Sequence, residues 1–391
     1  MPDIIATAAR SDNINSGGLP LSMERYTAYM DQNSYLYLTI TRRLKKALAV
    51  GRMKHEYRER RLIENYATVK TAQAAGVGDF KVNEPTRIHV DDAIHFKGTI
   101  YLVTAVNSST GQIDIVRAVD GSTATTVDAQ AVGDIVNITL EAHAEGEAVP
   151  SPYTTTSEDK YDYVMQSDRV VGDTDIHQSI DHYDPREKGR MSDLKQAYIE
   201  YERDRNLLYY VGESSREITT AGGRRRYICS GLFAKLVTNQ INLGAGGPAF
   251  TEELMSAIMG KTMYWGQSSQ GKIGIWGNKP WNKISSWPKS SLRVDPNWTK
   301  WGVKVNRIMT GYGEMLVGYD PVLSDKNGLG DRGVILDAKQ STLLHLRGLP
   351  VRIYRNITAR DNIHNTYDAI SGTFGLQLKW EELGAQVKGV A

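Results

Sequence analysis

Residues 161–212, YDYVMQSDRVVGDTDIHQSIDHYDPREKGRMSDLKQAYIEYERDRNLLYYVG, hold the two patterns that decide the fold. From Tyr161 to Ile180 the residues favour extended backbone, yet large apolar side chains are too few for a strand buried on both faces. The partner of such a strand must come from outside it. Further on, Met191, Leu194, Tyr198, Tyr201, Leu208 and Val211 recur three, four or seven positions apart. This is the spacing of one stripe on a helix, predicted over 186–211 and able to bury one side. An exposed reaching segment beside a single long packing helix points to self-association before catalysis.

The rest of the chain bounds that reading. At 391 residues it is long enough for two or three compact units, and 40% hydrophobic with 24% charged residues is ordinary globular usage. A net charge of +2 is too small for a protein that condenses nucleic acid by bulk charge, so any such contact must be local. The single cysteine, Cys229, excludes an intrachain disulfide framework and zinc sites built on several thiolates, which fits a reducing cytoplasm. The first 20 residues lack a basic segment followed by an apolar run, and no later window offers about 18 consecutive apolar residues. No membrane partner is expected. Tyrosine, at 21 against five phenylalanines, suits surfaces that are partly buried and hydrogen-bonded at an edge.

Along the chain, residues 1–20 read as an arm rich in Ser, Asn and Gly, followed by a mixed pattern with short helical stretches around RRLKKALAV. Nine cations, Arg42, Arg43, Lys45, Lys46, Arg52, Lys54, Arg58, Arg60 and Arg61, fall within 20 residues against only Glu56 and Glu59. They form either a solvated face or a contact with phosphate or an acidic neighbouring subunit. Between Asp79 and Glu147 the stretches FKVN, RIHV, TIYLVTAV, GQIDIVRAV and DIVNITLEA predict a small all-β module, with a hairpin at IYLVTAVNSSTGQIDIVRAV. Thr251 before Glu252 and Glu253 predicts a helix start, and the segments beyond it predict further strands that return to earlier ones, an α+β chain.

Catalytic chemistry finds little support. His177, Asp181, His182 and Asp184 are suitable ligand types, but two histidines five apart in an extended segment point to opposite faces, so no metal site is expected. GAGGP lacks the lysine and hydroxyl of a phosphate loop and reads as a turn. No nucleophile, acid pair or cofactor motif is present, so no enzyme and no cofactor is expected. Arg224, Arg225 and Arg226 after a glycine pair offer guanidinium groups to phosphate or to surface ion pairs. Six of the seven tryptophans lie in residues 265–301, either as the core and rim of one unit or as an aromatic platform for sugars or bases. The platform supports an alternative function, a carbohydrate-binding or adhesive module.

The order of parts, with LYYVGESS at the helix end, AHAEGEAV closing the β-module, YDYVMQSDRVVGDT as a descending strand and RIMTGYGEMLVGYDPVL further on, resembles the major capsid proteins of tailed double-stranded DNA phages. These have the Hong Kong 97-like fold, and the likeness is to the subgroup with a β-module inserted in its extended loop. The resemblance implies an N-terminal arm over 1–50, an extended loop over 51–78 and 148–184, and the β-module over 79–147. It also implies a peripheral domain over 185–245 and 345–391, built on the spine helix, and an axial domain over 246–344. It implies a coat protein that assembles with itself as hexamers and pentamers into an icosahedral virion shell in the bacterial host cytoplasm. A separate scaffolding protein, a portal, a decoration protein and non-specific contact with packaged DNA are the implied partners. The extended segment is then expected to pair with the ascending half of its own loop, around Met53–Thr71.

Overall fold

The computed structural model describes residues 36–44, 46–60, 64–76, 78–117, 127–141, 157–174, 190–244, 247–264, 266, 271–287, 295–300, 303–337, 339–358 and 365–390. The chain forms two compact units, one of residues Met1–Tyr57 with Asp159–Ala391 and one of residues Arg58–Glu158. The chain crosses between them twice, and the strands at the two crossings, Lys54–Glu59 and Glu158–Tyr163, pair as a two-stranded ribbon.

The smaller unit is all β. Its six-stranded sheet runs in the order Tyr66–Thr68, Ile135–Glu141, Asp92–Phe96, Thr99–Asn107, Gln112–Arg117, Asp79–Lys81. The two outer strands meet through the bridge Val69 to Val82, with Lys70 N–H bonding Lys81 O at 2.6 Å and Asn83 N–H bonding Thr68 O at 2.9 Å. The sheet therefore closes on itself, and its outer strands leave no long free edge. Alternate residues fill the interior, where Phe80 sits edge-on to Phe96 at 5.1 Å and to Tyr101 at 6.1 Å. In the hairpin Thr99–Asn107 to Gln112–Arg117, Gly111 adopts φ +75° and a Cβ there would lie 2.5 Å from Val82 O. Only glycine fits that turn. RIHV, read from sequence as a strand, is instead a 3-10 turn at Pro85–Arg87 and a loop in which the Asp92 carboxylate accepts from His89 N–H at 2.6 Å. Proline cannot donate to a ladder, which favours the turn.

In the larger unit the organising strand is Asn365–Leu378. One edge pairs antiparallel with Met165–Thr174, from Met165 opposite Phe374 to Thr174 opposite Asn365. Its other edge pairs with Ser341–Leu346 and then Arg352–Thr358, and Ala47–Val50 adds parallel to Ser341–Leu346. The descending segment is thus divided. Glu158–Tyr163 pairs with the ascending strand as expected, but Met165–Thr174 pairs with the C-terminal strand. Its alternation explains why: Gln166, Asp168 and Val170 are exposed while Met165 and Val171 pack on the core, a strand covered on one face only.

The spine helix, Arg190–Val211, lies over this sheet; positions 186–189 fall outside the described residues. Phe374 of the long strand contacts Tyr201 and Tyr209 edge-on at 6.4 and 6.0 Å. The helix buries more than the single predicted stripe, because Glu202, Arg205, Asn206, Tyr209 and Tyr210 are also buried. A second helix, Leu36–Arg43, seats Leu36, Tyr37, Leu38 and Ile40 in the same core, with Tyr37 against the rings of Tyr209 and Tyr210. Residues 36–50, assigned from sequence to the arm, therefore include a core helix and a sheet strand.

A seven-stranded sheet completes the unit in the order Gln240–Asn242, Ala385–Lys388, Gly333–Asp337, Lys272–Trp276, Gly313–Tyr319, Val303–Thr310, Asp295–Lys300. It extends beyond the expected 246–344 segment at both ends, since the chain terminus returns to it. Helix Glu252–Met263 starts where the sequence indicates, with Thr251 Oγ1 accepting from Leu254 N–H at 3.3 Å. Met255, Ile258 and Met259 of this helix join Trp276, Ile308, Met315, Val317 and Val387 in one core.

Candidate inter-subunit and nucleic-acid surfaces

Burial divides the predicted spine contacts. Leu194 and Tyr201 are buried, Tyr198 and Leu208 are half-buried against the same core, and Val211 is exposed. The side chain of Met191 lies outside the described residues.

Polar joints fix the helix to its surroundings. Glu202, 3% exposed, accepts from Arg42 at 2.5 Å and from Arg205 at 2.8 Å. Burial raises the Glu202 carboxyl above the usual range while Arg42 opposes that shift. One turn on, Asn206 Nδ2 and the Tyr210 hydroxyl donate to Asp320 Oδ2 at 3.0 and 2.7 Å, and Val322 N–H donates to Oδ1 at 3.1 Å. Asp320 follows the strand Gly313–Tyr319, so this cluster ties the spine to the seven-stranded sheet. Burial pushes its carboxyl up, and those donors hold it down. At the base of the ribbon, Asp162 receives Lys235 and the Ser230 hydroxyl; burial raises its carboxyl and Lys235 counters. These partners offset the charge of each buried carboxylate; both Asp320 oxygens accept, while Glu202 and Asp162 are each held through one oxygen.

The predicted basic run is spread over several elements. Arg42, at the helix end, is committed to Glu202, Lys46 is half-buried before the strand Ala47–Val50, and Arg58 and Arg60 are exposed at the end of the ribbon strand. Lys45 and Arg61 lie outside the described residues, as does the Arg43 side chain. Arg224, Arg225 and Arg226 are all exposed, at the turn of a hairpin formed by Arg216–Thr219 and Arg225–Ile228. Tyr227 of this hairpin stacks on Tyr163 at 5.4 Å, and Tyr163 in turn meets Tyr161 at 5.7 Å, linking hairpin and ribbon.

No arrangement for chemistry emerges from these groups. The Cys229 thiol is buried and pushed up to about 12 by desolvation, which makes it a poor nucleophile. Among the described residues no cluster of His, Cys, Asp and Glu is suited to a metal ion, and residues 175–189, with His177 and His182, lie outside them. Gly247 N–H bonds Gly244 O at 2.7 Å, a turn. Trp276 is fully buried against Phe250, and Trp281 and Trp287 pack on the same core. Those tryptophans fill a core and cannot form a sugar platform. Trp265, Trp301 and the Trp298 side chain fall outside the described residues.

The comparison that decides identity is with protein families, where the SU10 major capsid protein matches residues 31–391. The chain belongs to the SU10 major capsid protein family. It is a phage coat protein, structural and not enzymatic, whose copies associate to form the virion shell. Among solved structures, the capsid of cyanophage P-SCSP1u is similar at 6% identity over 96% of this chain and 93% of that one, with a TM-score of 0.50. At that identity the likeness shows the fold, which is Hong Kong 97-like. The capsid of a native GTA particle matches at 8% identity over 98% and 99% of the two chains, TM-score 0.49. The capsid of Myoviridae phage XM1 matches at 9% over 96% and 100%, TM-score 0.43. No curated protein matches the chain.

Residue-by-residue spacing missed the buried joints of this coat protein. Glu202, Arg205 and Asn206 read as the solvated side of the spine helix, and Asp320 is separated from Asn206 by 114 positions. The only local signal is that ERDRN directly precedes the apolar LLYYV.

Proposed function

We propose that the coat protein assembles as hexamers and pentamers into an icosahedral shell enclosing phage double-stranded DNA, built in the host cytoplasm. The observation that carries this reading is the ribbon Lys54–Glu59 with Glu158–Tyr163, the paired strands at which the chain passes from the larger unit to a separate β unit and back. Such a connection suits an extended loop that carries the β unit, residues Arg58–Glu158, onto a neighbouring subunit; the boundaries 51–78, 79–147 and 148–184 expected from sequence shift, because Tyr66–Thr68 belongs to the β unit and Met165–Thr174 to the larger one. Contacts of this kind are individually weak, so misplaced subunits leave while closure makes the whole cooperative.

The spine helix and long strand then form the core of the peripheral domain, and the seven-stranded sheet the core of the axial domain. The segment before Leu36 acts as the arm. A separate scaffolding protein directs closure, and portal and decoration proteins complete the particle. Electron microscopy of the purified chain, alone and with the scaffolding protein, is expected to show capsomers or closed shells. A stable monomer at high concentration under both conditions overturns the reading.

A further inference from the structure

We propose that one face of the hairpin Arg216–Ile228 binds the phosphate backbone of duplex DNA. The register sets the faces. Arg216 lies opposite Ile228, Glu217 opposite Tyr227, Ile218 opposite Arg226 and Thr219 opposite Arg225. Opposed residues share a face and successive residues alternate. Tyr227 stacks on Tyr163, so its face, with Glu217 and Arg225 paired at 3.2 Å, is turned to the body of the unit. The opposite face therefore carries Arg216, Ile218, Arg226 and Ile228. Thr220 N–H bonds Arg224 O at 2.8 Å, which continues the pairing and places Arg224 on this same face.

Three guanidinium groups thus crowd one exposed face. Arg216 has an exposed acid nearby, Glu213 at 3.3 Å, whereas neither Arg224 nor Arg226 has an acidic partner among the described residues. The sequence carries no Asp or Glu from Ile218 to Thr251. At the tip, Thr220, Ala221, Gly222 and Gly223 are small, Gly223 takes φ +72°, and a Cβ on either glycine would meet nothing within 4 Å. A protein partner would need a packed, exposed apolar anchor, and this face offers Ile218, 37% exposed, beside Ile228, which is already half-buried. A polyanion needs what is present: planar guanidinium donors, no competing carboxylate on Arg224 or Arg226, and a two-stranded ribbon narrow enough for a groove of duplex DNA.

The inference rests on the reading that the shell encloses duplex DNA, but it is tested without a shell. Unassembled full-length protein is titrated with a fluorescent 20-base-pair duplex at several salt concentrations. Each phosphate contact adds about 0.9 to the slope of log affinity against log salt, so R224A/R226A should lower the slope by about 1.8. Between about 50 and 200 mM salt, its affinity should then fall about 12-fold less than that of the parent. R224K/R226K keeps the charge and should keep the slope, and R225A, whose guanidinium is on the other face and paired with Glu217, should leave it unchanged. Circular dichroism melts of all variants establish that they fold.

An unchanged slope in R224A/R226A, or an equal fall in R225A, overturns the proposal. So does a R224A/R226A protein that binds duplex like the parent yet no longer forms shells, which assigns the face to an acidic surface on a second copy. Loss of shells in the parent protein itself would instead count against the assembly reading and leave the titration valid.

Discussion

Asp320 is the joint whose removal is most sharply predicted by the geometry. It accepts from Tyr210 at 2.7 Å, Asn206 at 3.0 Å and Val322 N–H at 3.1 Å, all buried. Asp320→Ala leaves three interior donors without an acceptor at about 1–3 kcal/mol each before relaxation, so a loss of about 3–5 kcal/mol is expected. Tyr210→Phe removes one donor from a carboxylate that keeps its other partners and should cost about 1.5–3 kcal/mol. In the double variant the Tyr210 hydroxyl is no longer an orphan. Its destabilisation should therefore fall short of the sum of the singles by about 1.5–3 kcal/mol. Denaturant unfolding of the unassembled protein, followed by circular dichroism, measures all four corners of the cycle. Additivity within about 0.5 kcal/mol would show that Tyr210 and Asp320 do not act together, and the account of the spine joint would be wrong.

Three further outcomes follow from the interior. Burial raises the Glu202, Asp162 and Asp320 carboxyls, so the folded state takes up protons above the ordinary carboxylate range. Their contribution to stability therefore rises as pH falls through the folded values toward the unfolded ones; Asp320→Asn should flatten that dependence in urea midpoints measured from neutral pH downward. A Cβ at Gly333 would lie 2.1 Å from the Trp276 ring, so Gly333→Ala overpacks the seven-stranded sheet and should cost about 1–3 kcal/mol by the same unfolding assay. Cys229, with its thiol pushed up to about 12, should resist iodoacetamide at pH 8 in the folded protein and react once denatured, as read by mass spectrometry.

Local pattern made parts of the fold legible and hid others for definable reasons. The spine helix stood out because Leu194, Tyr198, Tyr201 and Leu208 repeat at helical spacing, and the hairpin at Thr99–Arg117 because apolar alternation flanks a glycine-containing turn. The helix Leu36–Arg43 was hidden because LYLTITRR mixes β-branched and polar residues, and its helical state depends on burying Tyr37 against Tyr209 and Tyr210. Pairing across distance was hidden too. Nothing within MQSDRVVGDT states that its partner lies near position 370; the strand is half-covered, and half-covered strands accept many partners by pattern alone.

Charge was the least legible quantity, because a sequence gives its sign and not its environment. Arg42 and Arg226 look alike in the chain, each beside another arginine. One ends against Glu202, which is 3% exposed, and its loss leaves that carboxylate without Arg42 in the interior. The other lies on an exposed strand with no acid beside it among the described residues. The two substitutions should therefore separate cleanly. Arg42→Ala is expected to lower stability by about 1–2 kcal/mol, since Arg42 is half exposed and Arg205 stays on Glu202 at 2.8 Å, and to leave the salt dependence of duplex binding unaltered. Arg226→Ala should leave the unfolding midpoint within about 0.5 kcal/mol of the parent and lower the salt slope by about 0.9. If both variants shift the same observable, the buried carboxylate partner of Arg42 is not what distinguishes these arginines, and the division between structural joint and phosphate-binding face fails.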